Sequence, residues 1–443
     1  METLQFPWTE YHRKIESVRT IRNYGRVKEV VGMVIEGQGP ASAIGDLCAL
    51  QTREGREVIA EVVGFREDLT LLMPLGETRG LGPGGRIVPH RSCATTKVGR
   101  GLLGRVLDGT GKPIDEKGPL VLEEERPLHG PASSPMTRRR ISEPMDVGVR
   151  AINALLTLGK GQRIAIFSGS GVGKSTLLGM MARHTSARVN VVALIGERGR
   201  EVREFIEKDL GVEGLSRSVV VVATSDQPPL IRMKAAYLAT AMGEYFRDQG
   251  EDVLLMMDSI TRFAMASREV GLAVGEPPTS KGYPPSVFGQ LPNLLERVGT
   301  TPHRGSITGL YTVLVEGDDL NDPVADAIRS IADGHIVLSR ELANQNHYPA
   351  IDVLGSVSRV MIDVVSEDQM AARNELLSLM AVYKKAEDMI HIGAYVEGSN
   401  PMIDLAIKRM PRIHAFLRQG VAEKVDLAES VRGLKALLAD ETM

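Results

Sequence analysis

One run constrains this chain more than any other: RIAIFSGSGVGKSTLLGMMARH, beginning at Arg163. Residues 164–167 are apolar and read as a strand. Gly169, Gly171 and Gly173 then break it, and Lys174, Ser175 and Thr176 open a helix-forming stretch. A strand feeding a glycine-rich turn feeding a helix is the P-loop pattern. Glycines let backbone N–H groups curl around a phosphate, and the helix N-terminus adds its positive end. A lysine then reaches the β- and γ-phosphates and a hydroxyl holds Mg²⁺. Gly169, Ser170, Gly171, Val172, Gly173, Lys174, Ser175 and Thr176 are therefore the expected triphosphate cradle, with Lys174 also catalytic and Ser175 a Mg²⁺ ligand. Ser168 stands where the strict pattern has glycine, a departure that a small residue tolerates.

The surroundings fit such a cradle. From about Met145 to Arg359, apolar runs at 164–167, 189–195, 219–223, 253–257, 307–315 and 335–338 alternate with helical patterns. Continuously apolar strands interleaved with helices indicate a parallel sheet covered on both faces. The run 253–257 ends in Asp258, a carboxylate where an apolar strand emerges, which suits a Mg²⁺ ligand acting through water. The run 189–195 delivers GERGREV, placing Glu197, Arg198 and Glu201 at the same sheet edge. Glu197 is the candidate for orienting the attacking water; a salt bridge to Arg198 or Arg200 is the alternative. Nucleotide hydrolysis rests on positioning and charge neutralisation, so a few well-aimed groups suffice.

Elsewhere the period changes. Residues 26–89 carry short alternating runs (GRVKEVVGMVIEG, REVIAEVVGF, DLTLLMPL) between Gly, Pro and Asp clusters, the signature of a small closed β-barrel. A Gly/Pro-rich connector follows (GRVLDGTGKPIDEKGP), then Arg138–Arg140, read as a solvated basic run. After Glu367 the pattern is helical, with ten basic and ten acidic residues between Ala371 and Met443. At the other end Trp8, Tyr11, Ile15 and Val18 recur at helical spacing among Arg13, Lys14, Arg19 and Arg22. That stripe suits a helix packed on its own domain, a frayed terminus, or a docking helix for a partner or an anionic membrane. The expected division is a docking segment 1–25, a barrel 26–92, a nucleotide domain 93–366 and a helical domain 367–443.

Composition removes other classes. The 443 residues, 43% hydrophobic and 25% charged, suit a globular chain of about three domains. No window approaches the roughly 18 apolar residues of a membrane span, and no apolar leader opens the chain, so a cytoplasmic protein is expected. Two cysteines and nine scattered histidines make no disulfide framework and no metal cluster. A net charge of −3 and 4% aromatic residues argue against a nucleic-acid partner.

At these residues the chain resembles a known family. SGSGVGKST, IGERGREV, LLMMDSITRFAMA, GEPPTSKGYPPSVFGQLPNLLERVG, HYPAIDVLGSVSRV and VEGSNPMIDLAI are similar to the flagellar type III protein export ATPases, relatives of injectisome ATPases and of the rotary ATP synthase catalytic subunit. The resemblance covers nearly the whole chain. It implies a RecA-like P-loop α/β domain between a β-barrel and a helical domain, and Mg²⁺-dependent ATP hydrolysis that energises flagellar protein export. It matches Glu197 to the catalytic glutamate, and Arg198 and Arg262 to arginines near the departing phosphate. Tyr348 and, through a looser match, Phe416 correspond to the adenine pocket, and Arg359 to the arginine finger offered to a neighbouring subunit.

Because one chain holds the phosphate lysine, the glutamate and the finger, a ring of identical copies can complete a site at every junction, and the family's ring is a hexamer. The implied partners are a second copy, a central stalk protein, a stator-type regulator at the N-terminal segment, export substrates with their chaperones, and the membrane export gate. GEPPTSKGYPP is expected near the central channel or as a loop shaping the interface. The alternatives are an injectisome ATPase, a rotary ATP synthase subunit, an RNA-translocating ring helicase and a non-hydrolysing scaffold.

Overall fold

The computed structural model describes Trp8, His12 and residues 23–91, 94–315, 319 and 322–439. Tyr11, Ile15 and Val18, and with them most of the docking segment expected over 1–25, lie outside the described residues. The chain divides into two compact units, Met1–Ala94 and Thr95–Met443.

In the first unit six strands, β1 (Gly25–Val31), β2 (Val34–Gln38), β3 (Leu47–Gln51), β4 (Glu57–Arg66), β5 (Leu69–Pro74) and β6 (Arg86–Arg91), close into a barrel. The order around it is β1-β2-β5-β4-β3-β6, with antiparallel neighbours throughout. Alternation drives the closure. Val58, Ala60 and Val62 of β4 point inward onto Ile35, Leu50, Leu72 and Ile87, and a closed ring leaves no unpaired edge.

The second unit begins with β7 (Thr95–Val98), β8 (Arg105–Asp108) and β9 (Glu124–Pro127), then the short β10 (Pro144–Met145) and β11 (Leu158–Gly159). Its large sheet is completed by β12 (Arg163–Ser168), β13 (Val189–Ile195), β14 (Ser218–Ala223), β15 (Asp252–Asp258), β16 (Gly299–Thr300), β17 (Ser306–Leu314), β18 (Gly334–Leu338) and β19 (Ile351–Ser358). The order is β19-β18-β12-β17-β15-β13-β14-β8, with β16 added to β17. All neighbours from β18 to β8 are parallel, and β19 closes one edge antiparallel. The seven residues of β13 are all buried, as a strand covered on both faces requires.

Two expectations are corrected. The Gly/Pro-rich connector is not only a linker: its residues 105–108 form β8 and extend the sheet beside β14. Asp115 fixes that strand, receiving both Nε and Nη2 of Arg105 and the amide of Val106. Nor is 138–140 solvated throughout: Arg139 and Arg140 are exposed, but Arg138 is half-buried. The Arg138 guanidinium donates to the carbonyls of Glu296 and Val298, and Arg139 donates to those of Thr301 and Gly305. Two of the three arginines therefore satisfy backbone acceptors beside β16 and β17.

The helices after Glu367 run Glu367–His391, Pro401–Leu417 and Leu427–Leu438, each opened by a capping side chain (Ser366, Asn400, Asp426). Leu376, Met410, Ile413, Leu417 and Leu434 share one buried core with Ile152, Leu155 and the sheet. The carboxyl ends of β12, β13 and β15 open onto one crevice, where open α/β sheets bind ligands.

Candidate nucleotide site

At the end of β12 the chain leaves the sheet through Gly169 and turns into the helix Lys174–His184. Gly171 and Gly173 take φ of 79° and 89°, the left-handed region that the tight turn needs and that glycine adopts without strain. Val172 between them is buried in the main core and anchors the loop, while Ser170 and Gly171 stay exposed. Ser175 and Thr176 lie half-buried in the first helical turn. Ser168 is buried at the strand end, so the turn forms despite its side chain, whose hydroxyl has no hydrogen-bond partner.

Lys174 is the hub. Its Nζ contacts Asp258 Oδ1 and lies 3.4 Å from Glu197 Oε1. Burial works against its charge, but Asp258 and Glu197 outweigh that and raise its pKa. Asp258, 2% exposed, also accepts a 2.7 Å hydrogen bond from the Thr312 hydroxyl on β17. Glu197 follows Gly196 at the end of β13. Burial first, then the nearby Asp258 charge, and with them Glu201, lift its carboxyl to about 7 against the pull of Lys174. The alternative salt bridge to Arg198 is not made, since Arg198 turns outward and pairs with Glu201 at 3.2 Å.

Arg262, in the first turn of the helix Ile260–Val274, faces the same crevice. A Cβ on Gly196 would stand 2.8 Å from the Cβ of Arg262, so this glycine lets the arginine stem lie against the turn that carries Glu197. Its Nε is buried without an acceptor. Tyr348, 41% exposed, sets its ring beside the cradle, with Cε1 3.5 Å from where a Cβ on Gly173 would be. The structure thus brings Gly169–Thr176, Glu197, Asp258, Arg262 and Tyr348 together.

Phe416 and Arg359 have other surroundings. The Phe416 ring is turned onto Gly433 and sits under the Arg150 guanidinium, 5.7 Å away. Arg359 follows β19, which pairs Ser358 with Gly334 at the amino end of β18, whereas the cradle follows Ser168, paired with Leu338 at its carboxyl end. Four residues of strand, roughly 13 Å, separate the two. Sequence reading missed the Thr312 contact with Asp258. A polar residue inside the apolar run 307–315 was the available signal for Thr312.

The donors suit magnesium. Ser175 and Asp258 offer one hydroxyl and one carboxylate, a sparse oxygen set that fits an ion which dehydrates reluctantly and fills its shell with water and phosphate oxygens. Among the described residues no group of three or more His, Cys, Asp or Glu could hold a metal unaided.

Comparison with known proteins agrees with the geometry. Residues 27–90 match the beta-barrel domain of the ATP synthase alpha/beta family, residues 148–358 its nucleotide-binding domain, and residues 365–436 the T3SS EscN ATPase C-terminal domain. A relative from Bacillus subtilis, named flagellum-specific ATP synthase, is 54% identical over 96% of this chain and 98% of its own. The assembled ATPase EscN of the enteropathogenic E. coli type III secretion system superposes with a TM-score of 0.89 at 47% identity, over 94% of this chain and 100% of its own. EscN in complex with its central stalk EscO gives 0.87 at 46%, with the same coverage. Similarity of this degree along the full length leaves one assignment: the chain belongs to the ATPases of flagellar and type III protein export, within the ATP synthase alpha/beta family.

Proposed function

We propose that this ATPase energises flagellar protein export as a hexameric ring whose sites each draw residues from two adjacent copies. The observation that carries the reading is the placement of Arg359. It is exposed at the amino end of β18, with Nη1 held 3.3 Å from the Ala332 carbonyl, while its own cradle opens at the other end of that strand. An arginine so placed serves a neighbour's γ-phosphate rather than its own.

In the completed site the cradle amides and Lys174 hold the β- and γ-phosphates. Incoming phosphate draws the Lys174 ammonium from Asp258 and Glu197. Glu197 then accepts a hydrogen bond from the attacking water and aims it in line. The new bond forms between water oxygen and γ-phosphorus as the bond to the bridging oxygen breaks, giving ADP and phosphate. Arg262 and the neighbour's Arg359 neutralise the charge that spreads over the γ-phosphoryl oxygens; Arg198, turned to solvent, lies at the mouth. Mg²⁺, held by Ser175 and through water by Asp258, would supply further neutralisation of the phosphate oxygens. Tyr348 stacks on the adenine. Phe416, three residues before the Gln419 amide that donates to the Tyr348 carbonyl, is the proposed other side of the adenine pocket.

The Bacillus relative at 54% identity carries a flagellar name and a Xanthomonas type 3 secretion system ATPase follows at 52%, so identity favours the flagellar assignment by a narrow margin. EscN is seen with a central stalk, and an equivalent stalk is the proposed partner of this ring. Export substrates, their chaperones, a stator-type regulator at the N-terminal segment and the membrane export gate complete the proposed setting.

The test mixes Glu197→Gln with Arg359→Ala, each nearly inactive alone. Junctions that pair an intact glutamate with an intact arginine should restore a substantial fraction of the wild-type rate. A mixture as inactive as its components overturns the shared site.

A further inference from the structure

A buried amide ties the base side of the site to the C-terminal helices. Gln419 lies just beyond the helix Pro401–Leu417 and is 5% exposed. Its Oε1 accepts from the amide of Arg150 at 2.7 Å, and its Nε2 donates to the carbonyls of Gly148 and Glu423, both at 2.8 Å. Its main-chain N–H donates to the carbonyl of Tyr348 at 2.9 Å. One residue therefore joins three segments remote in sequence: the start of the helix Arg150–Leu155, the turn at 420–423, and the loop carrying the ring beside Gly173.

Arg150 reinforces the joint. Its guanidinium donates to the carbonyls of Phe416 and Arg418, both at 3.0 Å, and pairs with the Glu423 carboxylate. Those carbonyls terminate the helix Pro401–Leu417, where a cation is favoured. The Gln419 main chain, from which Tyr348 hangs, is thus held on both sides. Replacing the amide frees that main chain, strands the Gly148 carbonyl and the Arg150 amide, and lets the Tyr348 carbonyl drift.

We propose that Gln419 is a positioning residue for nucleotide: it sets the Tyr348 ring against the cradle and makes base affinity depend on the seating of the C-terminal helices. This rests on the reading of Tyr348 as the aromatic that stacks on adenine. The amide touches neither phosphate nor water, so its effect falls on ATP affinity and not on the chemical step.

The experiment is a double-mutant cycle in the full-length protein, using Tyr348→Ala, Gln419→Met and the pair, with KM for ATP, kcat and thermal midpoint measured for each. Gln419→Met keeps the side-chain length, and Gln419→Ala serves as the second variant should it fold better. We expect KM to rise about fivefold to tenfold for Gln419→Met with kcat within twofold of wild type, the size of a lost hydrogen-bonded positioning contact. In the Tyr348→Ala background the same change should leave KM unaltered, because the ring it positions is gone. KM effects that multiply, or a loss confined to kcat or to the thermal midpoint, overturn the proposal. The stacking reading fails separately, and visibly, if Tyr348→Ala alone leaves KM unchanged.

Discussion

Glu197 carries a carboxyl group whose proton is held far more tightly than a surface glutamate holds one. Burial and the charge of Asp258 raise it to about 7. Orientation of water requires the ionised form, so the rate should rise with pH as that proton leaves. The acid limb of kcat/KM is therefore expected near 7 in the free enzyme, and it should vanish from the residual activity of Glu197→Gln. A limb at the ordinary glutamate value near 4.5 would contradict this. Thr312 works through Asp258, whose carboxylate accepts its hydroxyl proton at 2.7 Å. Partners that orient a metal ligand typically contribute about tenfold to a hundredfold in metal affinity. Thr312→Val should accordingly raise the Mg²⁺ concentration for half-maximal rate about tenfold with little change in the thermal midpoint; an unchanged Mg²⁺ dependence would remove Thr312 from the site.

Among the elements, the helix that starts at Lys174 has a close neighbour. It lies on the π-helical segment Phe205–Leu210, and a Cβ on Gly179 would stand 2.5 Å from the Cβ of Asp209 and 2.8 Å from its carbonyl oxygen. Gly179→Ala should cost about 1–3 kcal/mol by overpacking, read as a fall in the thermal midpoint, and a neutral result would mean that the two segments part easily. This contact shows what a sequence hides. The cradle was legible because all its parts are consecutive, and Asp258 and Glu197 because each ends an apolar strand. The β8 strand was not, since four residues in a Gly/Pro-rich stretch give too little periodicity. Arg138 was misread for the opposite reason: a charged run looks solvated until the carbonyls of Glu296 and Val298 arrive from far along the chain. Thr312 and Gly179 meet partners 30 or more positions away, and Gln419 reaches Gly148, Arg150 and Tyr348 from across the chain, which no local pattern records.

For the whole molecule, the site proposed here is finished only by assembly. A finger supplied by a second protein typically contributes about 10³–10⁵ in rate, so activity per copy should climb steeply as protein concentration passes the point of ring formation. Flat activity from nanomolar to micromolar protein would refute this. Arg359→Lys should restore little, because an ammonium cannot reproduce the planar fork of a guanidinium. The opposite placements of cradle and finger along β18 have a last consequence, one of thrift. If the finger is shared as proposed, a lone copy would idle with its nucleotide intact, and fuel would burn only where the ring has been built.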